Sequence, residues 1–211
     1  MCYAPIIQSA GTMKSSILED NKMKGLSKAA MIVARILEIS HWVGTGIFAV
    51  LLICCMVAKN AAVNMIAGDP TGEDVLYGFH FTLTNAAGEI NMASLTVLAV
   101  AGVILFALMA MLFRNIYLII KTSRGETKFS QGVTPFQPAV IRMLKKVGIL
   151  AIAVPIVGFI MSIVFGLVVG PEYTTSANLD LSGIFMGLIV LWLTQVFAYG
   201  AKLEGDAEGL I

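Results

Sequence analysis

The sequence predicts an all-α integral membrane protein with four transmembrane helices. Of its 211 residues, 58% are hydrophobic and only 13% are charged, whereas soluble domains contain about a quarter charged residues. Four apolar runs reach the ~20 residues that are needed to cross a bilayer core, at 39–58, 94–120, 147–169 and 181–200. We interpret all four runs as helices, because a span in hydrocarbon must satisfy its backbone hydrogen bonds internally.

The distribution of lysine and arginine predicts the orientation of these spans. Cytoplasmic segments of membrane proteins are enriched in both residues. Of the 14 cations, 13 fall on one side of the predicted topology, and the exception is Lys59, which follows the first span. We therefore predict a multi-pass protein of the cytoplasmic membrane with both termini in the cytoplasm.

The chain is predicted to form one membrane domain, residues 27–211, after a disordered cytoplasmic leader over 1–26. The leader has no apolar run followed by a small-residue cleavage site, so it is not typical of a signal peptide, and loosely tethered termini are often disordered. Ser27 is a suitable N-cap for a helix that continues into the first span. Met1, Met13 and Met23 all remain candidates for the start.

The segment after the first span, residues 59–93, is too long for a simple connection. Apolar residues alternate with others from Val75 to Phe81, which is the period of a strand, and residues 85–88 are suited to closing a hairpin. We predict a small, partly β extracytoplasmic cap. His80 is interpreted either as a ligand or pH sensor, or as a surface or packing residue; the second is favoured because metal sites need several ligands at set spacing.

Proline and glycine positions predict how the spans bend and pack. Pro155 lies inside the third span and is expected to kink it, because it removes a helical hydrogen bond. Pairs of glycines four residues apart allow close helix approach, and two such faces are present. They consist of Gly183 with Gly187 on the fourth span and Gly166 with Gly170 at the end of the third.

The predicted inner loop, residues 121–146, ends in a basic amphipathic segment. Pro138 is suited to the first turn of a helix, and Arg142, Lys145 and Lys146 follow it. A basic amphipathic helix that leads into a span is typical of a segment lying among anionic lipid headgroups. A docking surface for a cytoplasmic partner is the second interpretation, and the two are compatible.

Two stretches carry a family resemblance: "TPFQPAVIRMLKKVG" at 134–148 and "FAYGAKLEGDAEGLI" at 197–211. Together with the four spans, the long outer loop and the basic inner loop, they resemble a family of small bacterial four-span membrane proteins that is classified as a domain of unknown function. Members are often encoded beside helix-turn-helix regulators. The resemblance therefore implies a regulatory partnership and no defined activity.

Polar side chains lie at similar predicted depth near the cytoplasmic ends of three spans. These residues are Glu38, His41, Arg114, Asn115 and Gln195. An ionisable residue inside a span indicates a functional site by default, although Arg114 is also placed to extend toward the headgroups. We predict that Glu38 or His41 approaches Arg114, because the first two spans are antiparallel neighbours.

The motif content argues against an enzyme. His41 and His80 are predicted on opposite sides of the membrane, so no catalytic set with a histidine is expected to converge. Patterns typical of nucleotide, zinc or redox sites are not found, and no region is suited to direct nucleic-acid binding. We predict no catalytic, cofactor or metal residues, and a non-enzymatic regulatory or accessory role. The alternative is a small transporter or channel component, with a homo-oligomer forming the path.

The predicted topology is checked by cysteine labelling from the two sides of the membrane. In a background without the three native cysteines, single cysteines at Ser130 and at Gly72 are expected to label from opposite faces, with Ser130 protected in intact cells. An impermeant thiol reagent supplies the measurement. Labelling of Ser130 from outside would contradict the orientation.

Overall fold

In the residues that it describes, the computed structural model of the chain contains four long helices, one short helix and one β-hairpin. It describes residues 5–64, 73–84, 90–130, 134, 136–170 and 178–208, and only the backbone for residues 5–24, 61, 64, 73, 74 and 208. The elements in chain order are α1 (Pro5–Val57), α2 (Lys59–Asn64), β1 (Glu73–Leu76), β2 (Phe79–Thr82), α3 (Met92–Ser123), α4 (Pro138–Val169) and α5 (Leu181–Glu208). Each of the four long helices contains a stretch long and apolar enough to cross a membrane. The predicted set of four spanning helices is confirmed by length and composition.

Helix α1 is much longer than its predicted span. It begins at Pro5 and contains 53 residues, or about 80 Å at the helical rise of 1.5 Å per residue. The sequence predicts a disordered leader over 1–26, whereas the backbone is helical from residue 5 onward. The physical reason is the lack of a breaker: no proline follows Pro5 until Pro70, and proline itself is suited to the first helical turn.

The helices pack in chain order, α1 on α3, α3 on α4 and α4 on α5. The α1–α3 interface is built from two reciprocal contacts between a glycine and a phenylalanine. The ring of Phe106 on α3 occupies the space beside Gly44, and the ring of Phe48 on α1 occupies the space beside Gly102. The two rings lie 5.2 Å apart. Glycine permits this close approach because a Cβ at either position would overlap the opposing ring.

The predicted glycine face on the fourth span is confirmed. A Cβ at Gly183 would lie 3.2 Å from Pro155 Cγ, and a Cβ at Gly187 would lie 2.9 Å from the carbonyl oxygen of Gly148. Both glycines therefore let α5 pack closely on α4. The face predicted at Gly166 and Gly170 is wrong within the described residues, because an added Cβ at either position would meet no atom within 4 Å.

The starts of the long helices agree with the local sequence. Asn91 caps α3, with its side-chain oxygen accepting from Ala93 N at 2.8 Å. Asp180 precedes α5 and accepts from Ser182 N at 3.0 Å. The hydrogen bond from the Ser182 hydroxyl lowers the pKa of the Asp180 carboxyl, although partial burial opposes the shift. The predicted start of α4 at Pro138 is confirmed, and Pro155 lies inside that helix without ending it.

The hairpin turns at a position that the sequence pattern did not indicate. Strands β1 and β2 are antiparallel, with Leu76 opposite Phe79. The two residues between them, Tyr77 and Gly78, both have positive φ, at 51° and 83°, as a tight two-residue hairpin turn requires. The predicted strand through Tyr77 is therefore wrong, although strand structure in this segment is present. The predicted turn at 85–88 lies outside the described residues.

The hairpin is packed among the helices and does not form a cap outside them. Phe79 is completely buried, stacks on Phe81 at 5.2 Å and meets the edge of Phe165 on α4 at 5.8 Å. The backbone N–H of His80 donates to Ser162 Oγ at 2.9 Å. Ser162 in turn donates to the carbonyl of Gly158 at 3.1 Å. Strand β2 is thereby fastened to α4 by both apolar and polar contacts.

The tip of the hairpin lies near the middle of α4. A Cβ at Gly158 would lie 2.5 Å from the Tyr77 carbonyl oxygen and 2.9 Å from Gly78 C. Gly78 also lies close to Pro155, near the midpoint of α4. The loop between the first two spans therefore reaches about halfway along the bundle, and Gly158 supplies the space in which its backbone sits.

Substitution of Gly158 tests this packing of the hairpin on α4. Gly158→Ala is expected to destabilise the protein by about 1–3 kcal/mol, the usual range for overpacking, because the added methyl overlaps backbone atoms that cannot rotate away. The melting temperature of the purified protein in detergent is the measurement.

Gly166→Ala is the matched control on the same helix, since its Cβ would enter open space. Helix propensity alone favours alanine over glycine by about 1 kcal/mol, so this variant is expected to melt at or above the wild-type temperature. Equal melting temperatures for the two variants would contradict the described packing.

Candidate functional site

The most distinctive polar contact in the bundle joins His41 of α1 to the hairpin tip. His41 is buried, with 7% of its surface exposed, and lies midway along the apolar part of α1 between Gly25 and Val57. Its Nε2 lies 2.7 Å from the hydroxyl oxygen of Tyr77. A residue predicted in an outer cap and a residue predicted near the inner end of a span are therefore in direct contact.

The surroundings of His41 determine which ring nitrogen carries the proton. Nδ1 lies 2.6 Å from the carbonyl oxygen of Leu37, one turn earlier on α1. A carbonyl oxygen only accepts, so Nδ1 is the donor and carries a hydrogen. In the neutral ring Nε2 is then an acceptor, and the hydroxyl of Tyr77 donates to it. Protonation of the ring would convert Nε2 into a donor and leave the phenol hydrogen without this acceptor.

Aromatic rings enclose the His41–Tyr77 pair. The imidazole centroid lies 5.5 Å from the ring of Phe106 and 5.0 Å from that of Phe113, both on α3. The Tyr77 ring meets Phe106 edge to face at 5.7 Å. In such apolar surroundings an unpaired polar atom costs about 1–3 kcal/mol. Separating the hairpin from α1 would leave these polar atoms unpaired. The hydrogen bond therefore stabilises the packing of the hairpin on α1 beyond the contribution of the buried contact area.

A second polar group lies one turn closer to the start of α1. Glu38 is 4% exposed and forms an ion pair of 2.7 Å with Arg35. The guanidinium of Arg35 also lies over the ring of Tyr117 on α3, 5.3 Å from its centroid. Arg35 is thus held between a carboxylate on its own helix and an aromatic face on the neighbouring helix, an arrangement that favours the cation.

The predicted approach of Glu38 or His41 to Arg114 is wrong. Their observed partners are Arg35 and Tyr77, whereas Arg114 is an exposed residue beside Asn115 and Lys146 at the α3–α4 groove. Residues of α3 that face α1 include Phe106, Phe113 and Tyr117, which follow a helical repeat. Arg114 comes one residue after Phe113 and is therefore turned by about 100° away from α1.

The structure therefore divides the predicted inner polar cluster. Glu38 and His41 lie at the α1–α3 interface. Asn115 lies on the α4 side of α3, where its side-chain amide donates to the carbonyl of Met111 at 2.7 Å. Gln195 is exposed on α5. The five residues form no single site.

The predicted basic segment also divides into two parts. Arg142 and Lys146 lie one turn apart on α4 and line the same cavity as Lys128 of the inner loop. All three α4 cations are exposed, but Lys145 does not line that cavity. Because α4 is one continuous helix from Pro138 to Val169, this difference follows from the helical repeat.

The inner loop is held in place by hydrogen bonds to the end of α3. The carbonyl of Thr122 accepts from Ser130 Oγ at 2.9 Å and from Gly125 N at 3.0 Å. Gln137 is buried, and its amide donates to the carbonyl of Thr134 at 2.8 Å. These bonds fix the loop that brings Lys128 to the α4 cations.

The same loop also contacts the end of α5. The ring of Phe136 occupies the space beside Gly200 and lies 5.6 Å from the ring of Phe197. Thr134 Oγ1 donates to Glu204 at 3.4 Å. The end of the chain that carries the resemblance "FAYGAKLEGDAEGLI" is thereby joined to the stretch "TPFQPAVIRMLKKVG".

No protein-family model, no curated protein and no solved structure matches this chain. The fold defines a multi-pass membrane protein with four long apolar helices. Among the residues that the structure describes, no three His, Cys, Asp or Glu side chains come together as a metal site requires. The interpretation of its sites therefore depends on the contacts within this chain.

Two residues of these sites were missed by sequence reasoning. Tyr77 was assigned to an alternating strand, although the following Gly78 is a signal for a tight turn. Lys128 was counted only as a cation that sets orientation. Its place beside Arg142 and Lys146 depends on the path of the inner loop, for which the sequence carries no periodic signal.

Removing the Tyr77 hydroxyl tests the contact with His41. Tyr77→Phe is expected to destabilise the protein by about 1–3 kcal/mol, because Nε2 of His41 stays buried without its donor. Tyr199→Phe is the control, since Tyr199 is 64% exposed, and it is expected to change little. Denaturation of both variants in the same detergent is the measurement, and equal stabilities would contradict the role of the hydroxyl.

Proposed function

We propose that this protein is a non-enzymatic regulatory or accessory protein of the bacterial cytoplasmic membrane. Both termini lie in the cytoplasm, and the hairpin between α2 and α3 enters the bundle from the opposite side. The protein holds or signals to a cytoplasmic partner, and the family resemblance implies a helix-turn-helix transcription regulator as that partner. The hydrogen bond between Tyr77 and His41 is the observation that carries the proposal.

That hydrogen bond couples the hairpin to α1. His41 is fixed to α1 by its second bond, to the Leu37 carbonyl, so a displacement of Tyr77 acts directly on this helix. Arg35 of α1 contacts Tyr117, which lies shortly before the end of α3 at Ser123. Helix α1 continues beyond this contact, toward its own start at Pro5. A change at the hairpin is therefore transmitted to a helix that continues past the end of its neighbour.

The chemistry of the His41–Tyr77 pair supports a non-enzymatic role. Both polar atoms of the imidazole are occupied, and the rings of Phe106 and Phe113 lie against it. A substrate has no access to Nε2 without displacing Tyr77. This pair is suited to holding two elements together, and less suited to acid–base catalysis.

The packing of the hairpin also bears on the transporter alternative. Phe79, Phe81 and Phe165 fill the space between the hairpin and α4, and Leu105 of α3 is fully buried in the same apolar core. An aqueous path through the described part of a single bundle would require this core to open. A path formed between the copies of a homo-oligomer, which is the transporter alternative, would not require it.

In-cell cross-linking tests the proposal directly. A photo-cross-linking amino acid in place of Lys28, an exposed position of α1, is expected to capture a cytoplasmic helix-turn-helix protein, identified by mass spectrometry. The same amino acid at Lys59, an exposed residue at the start of α2 just beyond the opposite end of α1, is the control and is expected to capture none. Capture of the same proteins at both positions, or of no regulator at Lys28, would overturn the proposal.

The coupling is tested in the same experiment. Tyr77→Phe is expected to lower the cross-linking yield at Lys28, because α1 loses its bond to the hairpin. Tyr199→Phe is expected to leave the yield unchanged. A yield that is insensitive to Tyr77 would show that the partner binds without any coupling to the hairpin.

A further inference from the structure

The inner end of the α3–α4 pair contains a basic cavity of about 470 Å³. This volume is within the range of small-molecule sites, about 300–1,000 Å³. Its cationic lining residues are Lys128, Arg142 and Lys146, and none of its lining residues is acidic. Three cations around one concave space favour an anion with several acceptor oxygens.

One further feature of the cavity favours a phosphate group, and a second fixes the loop that forms its wall. Pro138 and Ala139, the first residues of α4, belong to its lining, so the positive end of the helix dipole faces the same space. Ser130 also lines the cavity, and its hydroxyl is held by the carbonyl of Thr122. The loop that brings Lys128 to this position is therefore fixed by the protein itself.

A second, apolar cleft adjoins this cavity along α4. It has a volume of about 320 Å³, and Met111, Ile149 and Leu150 supply its apolar lining. Lys146 lines both spaces, so the cleft begins where the basic cavity ends. Arg142, Lys146, Ile149 and Leu150 follow one helical stripe, with the cations toward the end of the helix and the apolar residues toward its middle.

Arg114 and Asn115 lie at the side of the apolar cleft. Arg114 is placed beside Lys146, so a fourth cation lies near the junction of the two spaces. A ligand that fills both spaces must carry negative charge at one end and hydrocarbon immediately next to it. A free phosphate ion would fill only the basic cavity.

We propose that these two spaces together bind one anionic phospholipid. Its phosphate lies among Lys128, Arg142 and Lys146, and one acyl chain follows Met111, Ile149 and Leu150 along the groove between α3 and α4. The proposal does not depend on a cytoplasmic partner. It places Lys145, which the sequence groups with Arg142 and Lys146, outside the site.

The test uses the full chain, purified in detergent, and native mass spectrometry of its lipid adducts. The probes are phosphatidylglycerol and phosphatidylcholine with identical acyl chains. Phosphatidylglycerol is expected to bind more tightly, and its affinity is expected to fall with added salt. Equal affinity for the two lipids would overturn the proposal.

Substitutions on α4 separate a defined site from general surface charge. Lys146→Gln is expected to weaken phosphatidylglycerol binding about fivefold, and the double variant of Arg142→Gln with Lys146→Gln about 30-fold, from about 1 kcal/mol per cation. Lys145→Gln is the matched control and is expected to stay within about twofold of wild type. Equal losses at Lys145 and Lys146 would overturn the assignment to the cavity.

Two further measurements distinguish a defined lipid site from its alternatives. Lys128→Gln changes the loop and not the helix, so a loss of lipid binding in this variant cannot result from damage to α4. Unchanged binding would remove Lys128 from the site and overturn the proposal of a three-cation pocket. Glycerol phosphate is the soluble competitor. It is expected to displace the lipid only weakly, because it leaves the apolar cleft empty. Displacement of the lipid at equal concentration would identify a free-phosphate site in place of a lipid site.

Discussion

The insertion of a polar hairpin among apolar helices is the constraint on which the rest of the structure depends. Backbone N–H and C=O groups in such surroundings need partners. Pairing of the two strands satisfies some of them, and Ser162 accepts from the N–H of His80. At the tip, the Tyr77 hydroxyl is satisfied by His41. These groups of α1 and α4 stabilise the hairpin in this position, together with the apolar contacts of the buried Phe79.

The same constraint explains the positions of the small residues. Gly158 leaves room for the hairpin backbone, and Gly44 leaves room for Phe106, whose ring borders the His41–Tyr77 pair. Gly187 lets α5 approach α4 closely. Close packing of α1, α3 and α4 around the hairpin thus requires glycine at specific positions, and Gly166, which meets no neighbour, has no such role.

The two ends of the molecule differ in chemistry, and the bundle joins them. The hairpin contacts α1 at mid-bundle through the hydrogen bond between Tyr77 and His41. The loop between α3 and α4 joins α3, α4 and α5 through Thr122, Gln137 and Phe136. The basic cavity therefore belongs to a fixed part of the molecule. A lipid held there would stabilise the α3–α4 groove, and a partner on α1 would sense the hairpin by a separate route.

The sequence by itself determined the four long apolar helices, the start of α4 at Pro138 and the close packing at Gly183 and Gly187. Each follows from hydropathy, turn chemistry or residue size, which are local properties. Only the tertiary structure decided that Tyr77 contacts His41, that Arg35 lies over the ring of Tyr117, and that Lys146 lines a cavity while Lys145 does not. The reason is that contacts between elements depend on how far each helix is rotated about its axis and on the path of irregular loops. A helix places neighbouring residues about 100° apart, so hydropathy alone does not indicate which neighbour each side chain meets.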